Sequence, residues 1–314
     1  MPVFLRPLIP ETDFPRFAEL LNTVEPETIT SQVLHDWLES EPADRIRRRI
    51  TAVDERGYVV GFSDVGRDSW MEAGRFWLSV IVDAAWQRQG TGSRLFEDAL
   101  QCVQEQNATL LETEVRDHLP TSLRFAEQHG FTIDRYLYES TLDVTTFDER
   151  PFSGAIEAVE AQGIRFHTLA DMGDTLEAQR NLYEINRRYA FDVPGREQTF
   201  APFERFRKQV FAAIWYRADG QIVALDGDRW VGMSAVGYFE EANFMINMMT
   251  GVEPSYRGRG IAFALKLLTI RCARRYGAAY IRTSNDSANA PILAINRKLG
   301  YQPQPGKYLM LRRL

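Results

Sequence analysis

Apolar residues recur along the chain with helix and strand spacings, in the same order twice. In each half the spacing predicts a strand, two helices, three strands, a helix, a strand, a helix and a final strand. The first set covers residues 3–7, 11–24, 30–40, 47–53, 58–65, 75–82, 90–106, 109–115, 119–129 and 131–142. The second covers 164–169, 175–189, 203–213, 221–225, 229–238, 243–251, 258–276, 279–283, 290–299 and 308–312. This order predicts a mixed α/β (α+β) fold, with a central sheet flanked by helices in each half.

The two halves also share residues at a constant spacing of 170 positions. Residues 82–92 are Val-Asp-Ala-Ala-Trp-Gln-Arg-Gln-Gly-Thr-Gly, and residues 252–262 are Val-Glu-Pro-Ser-Tyr-Arg-Gly-Arg-Gly-Ile-Ala. The further identical pairs are Leu95 and Leu265, Cys102 and Cys272, Thr113 and Thr283, and Gly130 and Gly300. A single spacing held across a strand, a loop and two helices indicates two copies of one domain. We therefore predict an N-terminal domain at 1–145, a linker at 146–163 and a C-terminal domain at 164–314.

The composition fits two globular domains of ordinary size. The chain has 314 residues, of which 45% are hydrophobic and 25% charged, as in soluble globular proteins. Apolar runs stay short of the ~20 residues of a membrane span, and the first residues lack a secretion signal, so we expect a cytoplasmic protein without a membrane partner. The four histidines show no metal-ligand spacing, so no metal is expected. Cys102 and Cys272 lie in separate copies and are expected in the helix cores rather than in a disulfide.

Charge is distributed unequally between the halves. Residues 1–150 contain 15 Arg, no Lys and 27 acidic residues, a net charge of −12, whereas the remainder has 22 basic and 16 acidic residues, a net charge of +6. The asymmetry fits two solvated surfaces of opposite sign, and it fits equally a C-terminal half that binds an anion.

A strand, a tight glycine-containing loop and a long helix form the centre of each copy. A helix start offers unpaired N–H groups and the positive end of the helix dipole. Glycine lets the backbone approach a ligand closely, so the amides can hold a pyrophosphate, with Arg88, Arg257 and Arg259 adding charge. The Gly-Lys-Ser/Thr of nucleotide hydrolases and the three-glycine dinucleotide pattern are both missing. One such loop is a weak signal, but its recurrence predicts an anion site.

These residues carry a family resemblance. The segments 87–92 and 257–262 resemble the Gln/Arg-x-x-Gly-x-Gly/Ala signature of the GNAT superfamily of acyl-CoA N-acyltransferases. The two copies span nearly the whole chain, so it resembles a tandem GNAT protein of the mycothiol-synthase type, with no substrate implied. The resemblance implies that acetyl-CoA (coenzyme A) is the co-substrate. It implies CoA contacts at Val82, Gln87, Arg88, Gln89, Gly90, Thr91 and Gly92, and at Gly251, Val252, Arg257, Gly258, Arg259, Gly260, Ile261 and Ala262.

A later motif is present only in the second copy. Residues 283–301 are similar to the pattern Thr-x-Asn-x-x-x-Asn-x-Pro…Asn…Leu-Gly-aromatic of a GNAT subgroup. The resemblance implies that Asn289 binds the pantetheine arm; it is equally predicted as a helix N-cap. Asn296 stands where many members have a tyrosine acid, and it can donate a hydrogen bond to sulfur but no proton. Its alternative is an exposed helical residue. The first copy has Leu119 and Ala126 at these positions, so we expect catalysis in the C-terminal domain.

The general base is not marked by a motif. The strand at 243–250 has no carboxylate, so Tyr238 or Glu240, with Glu241 beside it, is the candidate, acting directly or through water. We predict an acyl-CoA-dependent N-acyltransferase acting on a small-molecule amine or a peptide amine. The alternative is a non-catalytic acyl-CoA binder or sensor, which the asparagine at 296 favours. The acidic first half and the lack of a continuous basic stripe argue against a nucleic-acid partner.

Overall fold

The chain forms two units with a boundary between Asp134 and Arg135. A computed structural model describes residues 2–25, 28–39, 41–193 and 199–314. The first unit contains residues 1–134 and 307–314, and the second contains residues 135–306. No helix in these described ranges is long and apolar enough to cross a membrane.

The first unit is a mixed sheet with helices packed against it. Its strands are β1 (Val3–Pro7), β2 (Ile46–Asp54), β3 (Val59–Arg67), β4 (Arg75–Val82) and β5 (Leu110–Arg116), and its helices are α1 (Pro10–Leu21), α2 (Ser31–Glu39), α3 (Thr91–Glu105) and α4 (Pro120–Gln128). The strands pair in the order β1-β2-β3-β4-β5, with only β4 and β5 parallel among these described pairs. The residue at 40, the end of the second predicted helix, lies outside the described ranges.

The second unit repeats this arrangement. Its strands are β6 (Thr132–Asp143), shared with the first unit at its start, then β7 (Ile164–Thr168), β8 (Gln221–Asp226), β9 (Arg229–Phe239), β10 (Phe244–Val252) and β11 (Tyr280–Asp286). Its helices are α5 (Ala155–Glu160), α6 (Leu176–Ala190), α7 (Phe203–Phe206), α8 (Ile261–Arg275) and α9 (Ala290–Lys298). The strands pair in the order β6-β11-β10-β9-β8-β7, and β10 with β11 is the parallel pair. The predicted fold class, two tandem mixed α/β domains, is confirmed.

The final strand, β12 (Gln302–Arg313), gives its C-terminal residues to the first unit. Lys307 to Arg313 pair antiparallel with Arg116 to Leu110 of β5, and Met310 is fully buried in the core there. In the second unit the edge beside β11 is instead filled by β6, whose residues 137–143 pair with 286–280. The two units are therefore not two consecutive halves of the chain. The end of β12, from the second repeat, belongs to the first unit, and most of β6, from the first repeat, belongs to the second unit.

Two segments differ from the elements predicted by spacing. The predicted linker contains helix α5, whose Ile156 and Val159 are buried in the core around α8. This helix has only six residues, and the turn-forming and charged residues around it led to the prediction of a linker. The predicted helix at 203–213 is only α7, followed by a π-helical turn at Arg207–Phe211.

Helix α8 is the most deeply buried helix of its unit. Nine of its residues are buried, whereas five are buried on its counterpart α3. Cys272 is buried on α8 and Cys102 is half-buried on α3, and both are free thiols. Because α8 is covered on most sides, its N-terminal turn is fixed firmly at the end of β10.

Candidate active site

The loop between β10 and α8 presents a row of free backbone donors. Gly258 has φ +80° and Gly260 has φ +86°, so both occupy the left-handed region that favours glycine. Gly260 is the N-cap of α8, and the first amide to bond back into the helix is that of Ala264, which donates to the Gly260 carbonyl. Within the described ranges, the N–H groups of residues 258–263 have no hydrogen-bond acceptor. Six consecutive free amides at a helix start are suited to binding an anion.

Two arginines flank these amides. The Nε of Arg257 donates to the carbonyl of Val252 at 3.1 Å, and its terminal nitrogen pairs with Asp192 at 2.6 Å. The guanidinium of Arg259 lies 4.7 Å from the ring centroid of Tyr256. Arg257 is thus paired with a carboxylate, and Arg259 is held against an aromatic ring, both within the loop that leads into α8.

The end of β10 also depends on a close packing contact. A Cβ atom at Gly251 would overlap the ring of Tyr189 from α6, so only glycine fits there. Burial raises the pKa of Tyr189 to about 12, which keeps this phenol protonated. Gly251 and Val252 are thereby held in place at the exit from the strand.

A wedge opens between the two parallel strands. β10 and β11 are in register only from Phe244 to Ile246 on β10, opposite Tyr280 to Arg282 on β11. Beyond this point β10 carries a bulge: Asn247 faces Val236 and Met249 faces Ala235, so Met248 is extra. A bulge leaves its extra residue out of the ladder, and this bulge stands where the wedge begins to open.

Asn296 of α9 is buried beside β11. It is 2% exposed, so the alternative of an exposed helical residue is wrong. Its Nδ2 donates to Oδ1 of Asn285 at 2.8 Å, while its Oδ1 has no partner among the described residues. A buried amide oxygen is normally hydrogen-bonded, so this oxygen has the capacity to accept one further hydrogen bond.

Asn289 stands at the start of α9. It occupies the N-cap position, but within the described ranges its side chain makes no capping hydrogen bond. The first turn of α9 is instead stabilised by Pro291 near its start and by the backbone, because the amide of Leu293 donates to the carbonyl of Asn289. The side-chain amide of Asn289, which is half-buried, is therefore not engaged in capping α9.

The first unit has the same loop. Arg88 takes φ +62° where the second copy has Gly258, and Gly90 takes φ +83° as the N-cap of α3. The side chain of Gln87 donates to the Val82 carbonyl at 3.0 Å, the same bond that Arg257 makes in the other copy. In the described part of the chain, the amides of residues 88–93 have no acceptor. Gln89 and Thr91 flank Gly90 in this loop, and the Gln89 side chain bonds the Ala85 carbonyl at 3.1 Å.

The wedge of the first unit differs in its walls. β4 pairs with β3 in continuous register from Trp77 to Val82. The ring of Phe125 from α4 comes within 3.1 Å of where a Cβ of Gly92 would lie, and so it covers the first turn of α3. Leu119 and Ala126 replace the two asparagines, so the polar groups that line the second wedge are apolar here.

The two candidate bases lie at the hairpin between β9 and β10. The Tyr238 hydroxyl donates to Oδ1 of Asn243 at 3.1 Å, and its ring packs on Tyr276 with centroids 5.2 Å apart. Glu240 pairs with Arg217 at 3.3 Å, and its side chain is 78% exposed. Tyr238 faces Met245 on β10, within the stretch where β10 still pairs with β11, so the two candidates lie on the closed side of the strand pair, before the wedge opens.

The pattern of apolar spacing did not identify Asn247. The residue is 4% exposed and lies in the run Phe-Met-Ile-Asn-Met-Met at 244–249, where a strand buried on one face was expected. A single polar residue in an apolar strand was the available signal, and its partners come from three different strands.

Comparison with known proteins matches each of the two repeats to the same family. Residues 14–131 and 180–301 match the Acetyltransferase (GNAT) family. The mycothiol acetyltransferase of Saccharomonospora viridis is 26% identical over 262 residues, which are 78% of this chain and 76% of that protein. The GCN5-related N-acetyltransferase of Sphaerobacter thermophilus is 19% identical with a TM-score of 0.72, covering 99% of this chain and 95% of that one. A tandem GNAT protein from the clavulanic acid biosynthesis pathway is 19% identical with a TM-score of 0.75, covering 99% and 98%.

The two matched stretches include most of the chain and fall one in each repeat. This chain therefore belongs to the GNAT acetyltransferase family and carries two copies of its fold in tandem.

Proposed function

We propose that the protein transfers an acetyl group from acetyl-CoA to an amine of a small molecule or peptide, and that the second unit carries the reaction. The observation that supports this most is the combination, in the second unit, of free amides 258–263 with a wedge whose strand is bulged at Met248. The first unit has the free amides but an unbroken strand register over Trp77 to Val82. The family uses acetyl-CoA. The free amides suit its pyrophosphate, and the wedge at the bulge suits its acetyl thioester.

The residues of the second unit fit the parts of coenzyme A. The amides of residues 258–263, with Arg257 and Arg259, suit the pyrophosphate. The unpartnered Oδ1 of Asn296 can accept an N–H of the pantetheine arm, and Asn289 has a side chain free of capping bonds. The thioester supplies the activated acetyl group. The protein orients it at the bulge, where the free backbone amide of the extra residue can stabilise an oxyanion.

Proton transfers fall to groups at the hairpin end. Tyr238 or Glu240 accepts the proton of the attacking amine, directly or through one water. Nδ2 of Asn296 has a second hydrogen beyond the one given to Asn285, and this hydrogen can stabilise the departing sulfur. Since an amide supplies no proton, the leaving group takes its proton from solvent.

A non-catalytic acyl-CoA binder is the second candidate. The specific observation that favours it is Asn296, an amide at the position of the usual acid, buried and bonded to Asn285. Such a protein would bind acetyl-CoA through the same loop and release it without transferring the acetyl group.

The experiment that separates the two candidates is acetyl-CoA turnover with a panel of amines. The panel includes amino acids, amino sugars, polyamines and peptides with free N-termini, and it reads free thiol release and acetylated product by mass spectrometry. We expect amine-dependent release of CoA together with one acetylated amine. Tight binding of acetyl-CoA in calorimetry without turnover of any amine would support the binder.

A further inference from the structure

A buried polar cluster lies under the bulge of β10. Its members are Ser234 of β9, Asn247 and Thr250 of β10, and Thr283 of β11, and we call it the Asn247 cluster. Ser234 is 0% exposed, Thr283 2% and Asn247 4%. It joins the three strands that border the wedge.

Asn247 is the centre of this cluster. Its Nδ2 is within 3.0 Å of the Ser234 hydroxyl, 3.0 Å of the Ala235 carbonyl and 3.2 Å of the Met249 carbonyl. Its Oδ1 accepts from the Thr250 hydroxyl at 3.1 Å. The amide nitrogen and the amide oxygen of Asn247 therefore both bond residues next to the bulge. These bonds lie where Met248 interrupts the pairing of β10 with β9.

The cluster also reaches across the wedge. The Thr283 hydroxyl donates to the backbone carbonyl of Asn247 at 3.2 Å. This bond links β10 to β11 one residue after their regular pairing stops at Ile246 and Arg282. It therefore fixes the point at which the wedge begins to open.

The first unit offers a natural comparison. The counterparts of Asn247 and Thr250 at the repeat spacing are Trp77 and Val80. Trp77 lies under the guanidinium of Arg47, 5.2 Å from its ring centroid, and β4 passes this point in unbroken register with β3. Thr283 has the identical counterpart Thr113, and Ser234 corresponds to Asp64, so the first copy lacks only the Asn247 and Thr250 members. Within the described ranges, this copy is also the one without a bulge in the corresponding strand.

We propose that Asn247 is a positioning residue, whose side chain holds the Met248 bulge so that the freed backbone amide faces the thioester carbonyl. The inference rests on the proposed function of the second unit and extends it to a residue outside the CoA loop. A bulge costs ladder bonds, and a buried carbonyl left without a donor is destabilising. The two N–H groups of Nδ2 lie within reach of the Ala235 and Met249 carbonyls. The Met249 carbonyl also accepts from the Ser234 hydroxyl at 3.2 Å, so an apolar residue of equal size would deprive the Ala235 carbonyl of its side-chain donor.

The first test replaces Asn247 by Asp. The change keeps the shape but turns the donor into a third acceptor beside the Ala235 and Met249 carbonyls, so the bulge should rearrange. The readout is the infrared carbonyl stretch of ¹³C-labelled acetyl-CoA bound to the protein, which needs no acceptor amine. We expect the wild type to lower this frequency and Asn247→Asp to lose the shift, while affinity for CoA without an acetyl group changes less than about twofold.

Turnover provides a second readout once an acceptor is known. Loss of one oxyanion donor lowers kcat by about a hundredfold or more, so Asn247→Asp should show this fall with little change in KM for acetyl-CoA. The matched control is Asn181→Asp, the same chemical change on the exposed side of α6, and it should behave as wild type. A merely structural role would lower kcat only in proportion to the folded fraction.

A milder variant covers the case in which Asn247→Asp does not fold. Thr250→Val is nearly isosteric and introduces the residue of the first unit. It removes the two bonds of the Thr250 hydroxyl, to Oδ1 of Asn247 at 3.1 Å and to the Ser234 hydroxyl at 2.8 Å. We expect a partial loss of the carbonyl shift and faster hydrogen exchange at the Met248 and Met249 amides. An unchanged shift and unchanged exchange in folded Thr250→Val, or an unchanged shift in folded Asn247→Asp, would overturn the inference. A wild type with no turnover and no carbonyl shift would instead reject the proposed function.

Discussion

Lys266 is a buried lysine without a hydrogen-bond partner in the part of the chain that the structure describes. It is 0% exposed on α8, and its Nζ lies 4.9 Å from the ring centroid of Tyr301. Desolvation by burial lowers its pKa to about 7. The first unit has Phe96 and Phe131 at the equivalent positions, with ring centroids 6.1 Å apart. An apolar pair thus occupies the same site in the other copy.

We predict that Lys266→Met stabilises the second unit at neutral pH. The unfolded lysine has a pKa of about 10.4, so between about pH 7 and 10 the unfolded chain binds a proton that the folded chain does not. Wild-type stability should therefore rise with pH across this window. The variant should gain on the order of 2–4 kcal/mol at pH 7, and the gain should shrink toward pH 10.

Denaturant unfolding at several pH values measures this difference. The matched control is Lys298→Met on α9, where the side chain is exposed and the change should stay within about 0.5 kcal/mol. A gain that is independent of pH, or a loss of stability at pH 7, would show that Lys266 is stabilised in the folded chain.

Asn296 is predicted to have a modest effect on rate. A neutral hydrogen bond contributes roughly 0.5–1.5 kcal/mol, so Asn296→Ala should slow turnover about two- to twelvefold. Because the residue is 2% exposed, Asn296→Tyr overpacks the site and should cost about 1–3 kcal/mol of stability rather than restore an acid. Steady-state kinetics and thermal unfolding of both variants check this, and a thousandfold fall for Asn296→Ala would assign it a larger role.

At the scale of single residues, the sequence predicted the loop better than the wedge. The loop position of Gly258 and Gly260 could be predicted because glycine in front of a segment with helical apolar spacing is a local pattern. The role of Asn247 could not, because it depends on strand register and on Ser234 and Thr283, which lie far away in the chain. The burial of Asn296 likewise depends on how α9 packs beside β11.

At the scale of elements, the spacing of apolar residues located the main strands and helices, and it missed where β12 belongs. Periodicity shows that a segment is a strand, but it does not show which neighbour the strand pairs with. Each half has the same order of elements, so a strand contributed from the other repeat leaves no trace in the pattern. The short helix α5 was missed because six residues are too few to show a helical period.

The pairing of β12 leads to a prediction on stability. Met310 is fully buried among residues of the first unit, so Met310→Ala should cost about 2–5 kcal/mol. Hydrogen exchange should accelerate in β4 and β5 and stay unchanged in β8 and β9. The control is Gln302→Ala, an exposed residue of the same strand. Acceleration confined to β8 and β9 would contradict the pairing of β12 with β5.

At the scale of the whole molecule, the two copies share the order of elements and the loop, and they differ at particular residues beside the wedge. Both present free amides at a helix start, but Asn247, Thr250, Asn289 and Asn296 of the second unit correspond to Trp77, Val80, Leu119 and Ala126 of the first. The repeat could be predicted from the constant spacing of 170 residues. The unequal walls could be anticipated from Leu119 and Ala126, but the bulge and the Phe125 contact required coordinates.

The central claim is that the second unit carries the reaction, and one pair of variants tests it most directly. Gly260→Asp and Gly90→Asp place the same charge at the same N-cap position, with φ of +86° and +83°, so their backbone strain is matched. Gly260→Asn and Gly90→Asn are the uncharged controls, because they add a side chain of similar size at the same positive φ without adding a negative charge. All four are measured for acetyl-CoA turnover and for CoA affinity.

We predict that Gly260→Asp loses at least tenfold in CoA affinity at the second unit, about 1.4 kcal/mol, and loses turnover in proportion. Gly90→Asp should retain most of its turnover. A folded Gly90→Asp without activity beside an active Gly260→Asp would contradict the account and move the reaction to the first unit.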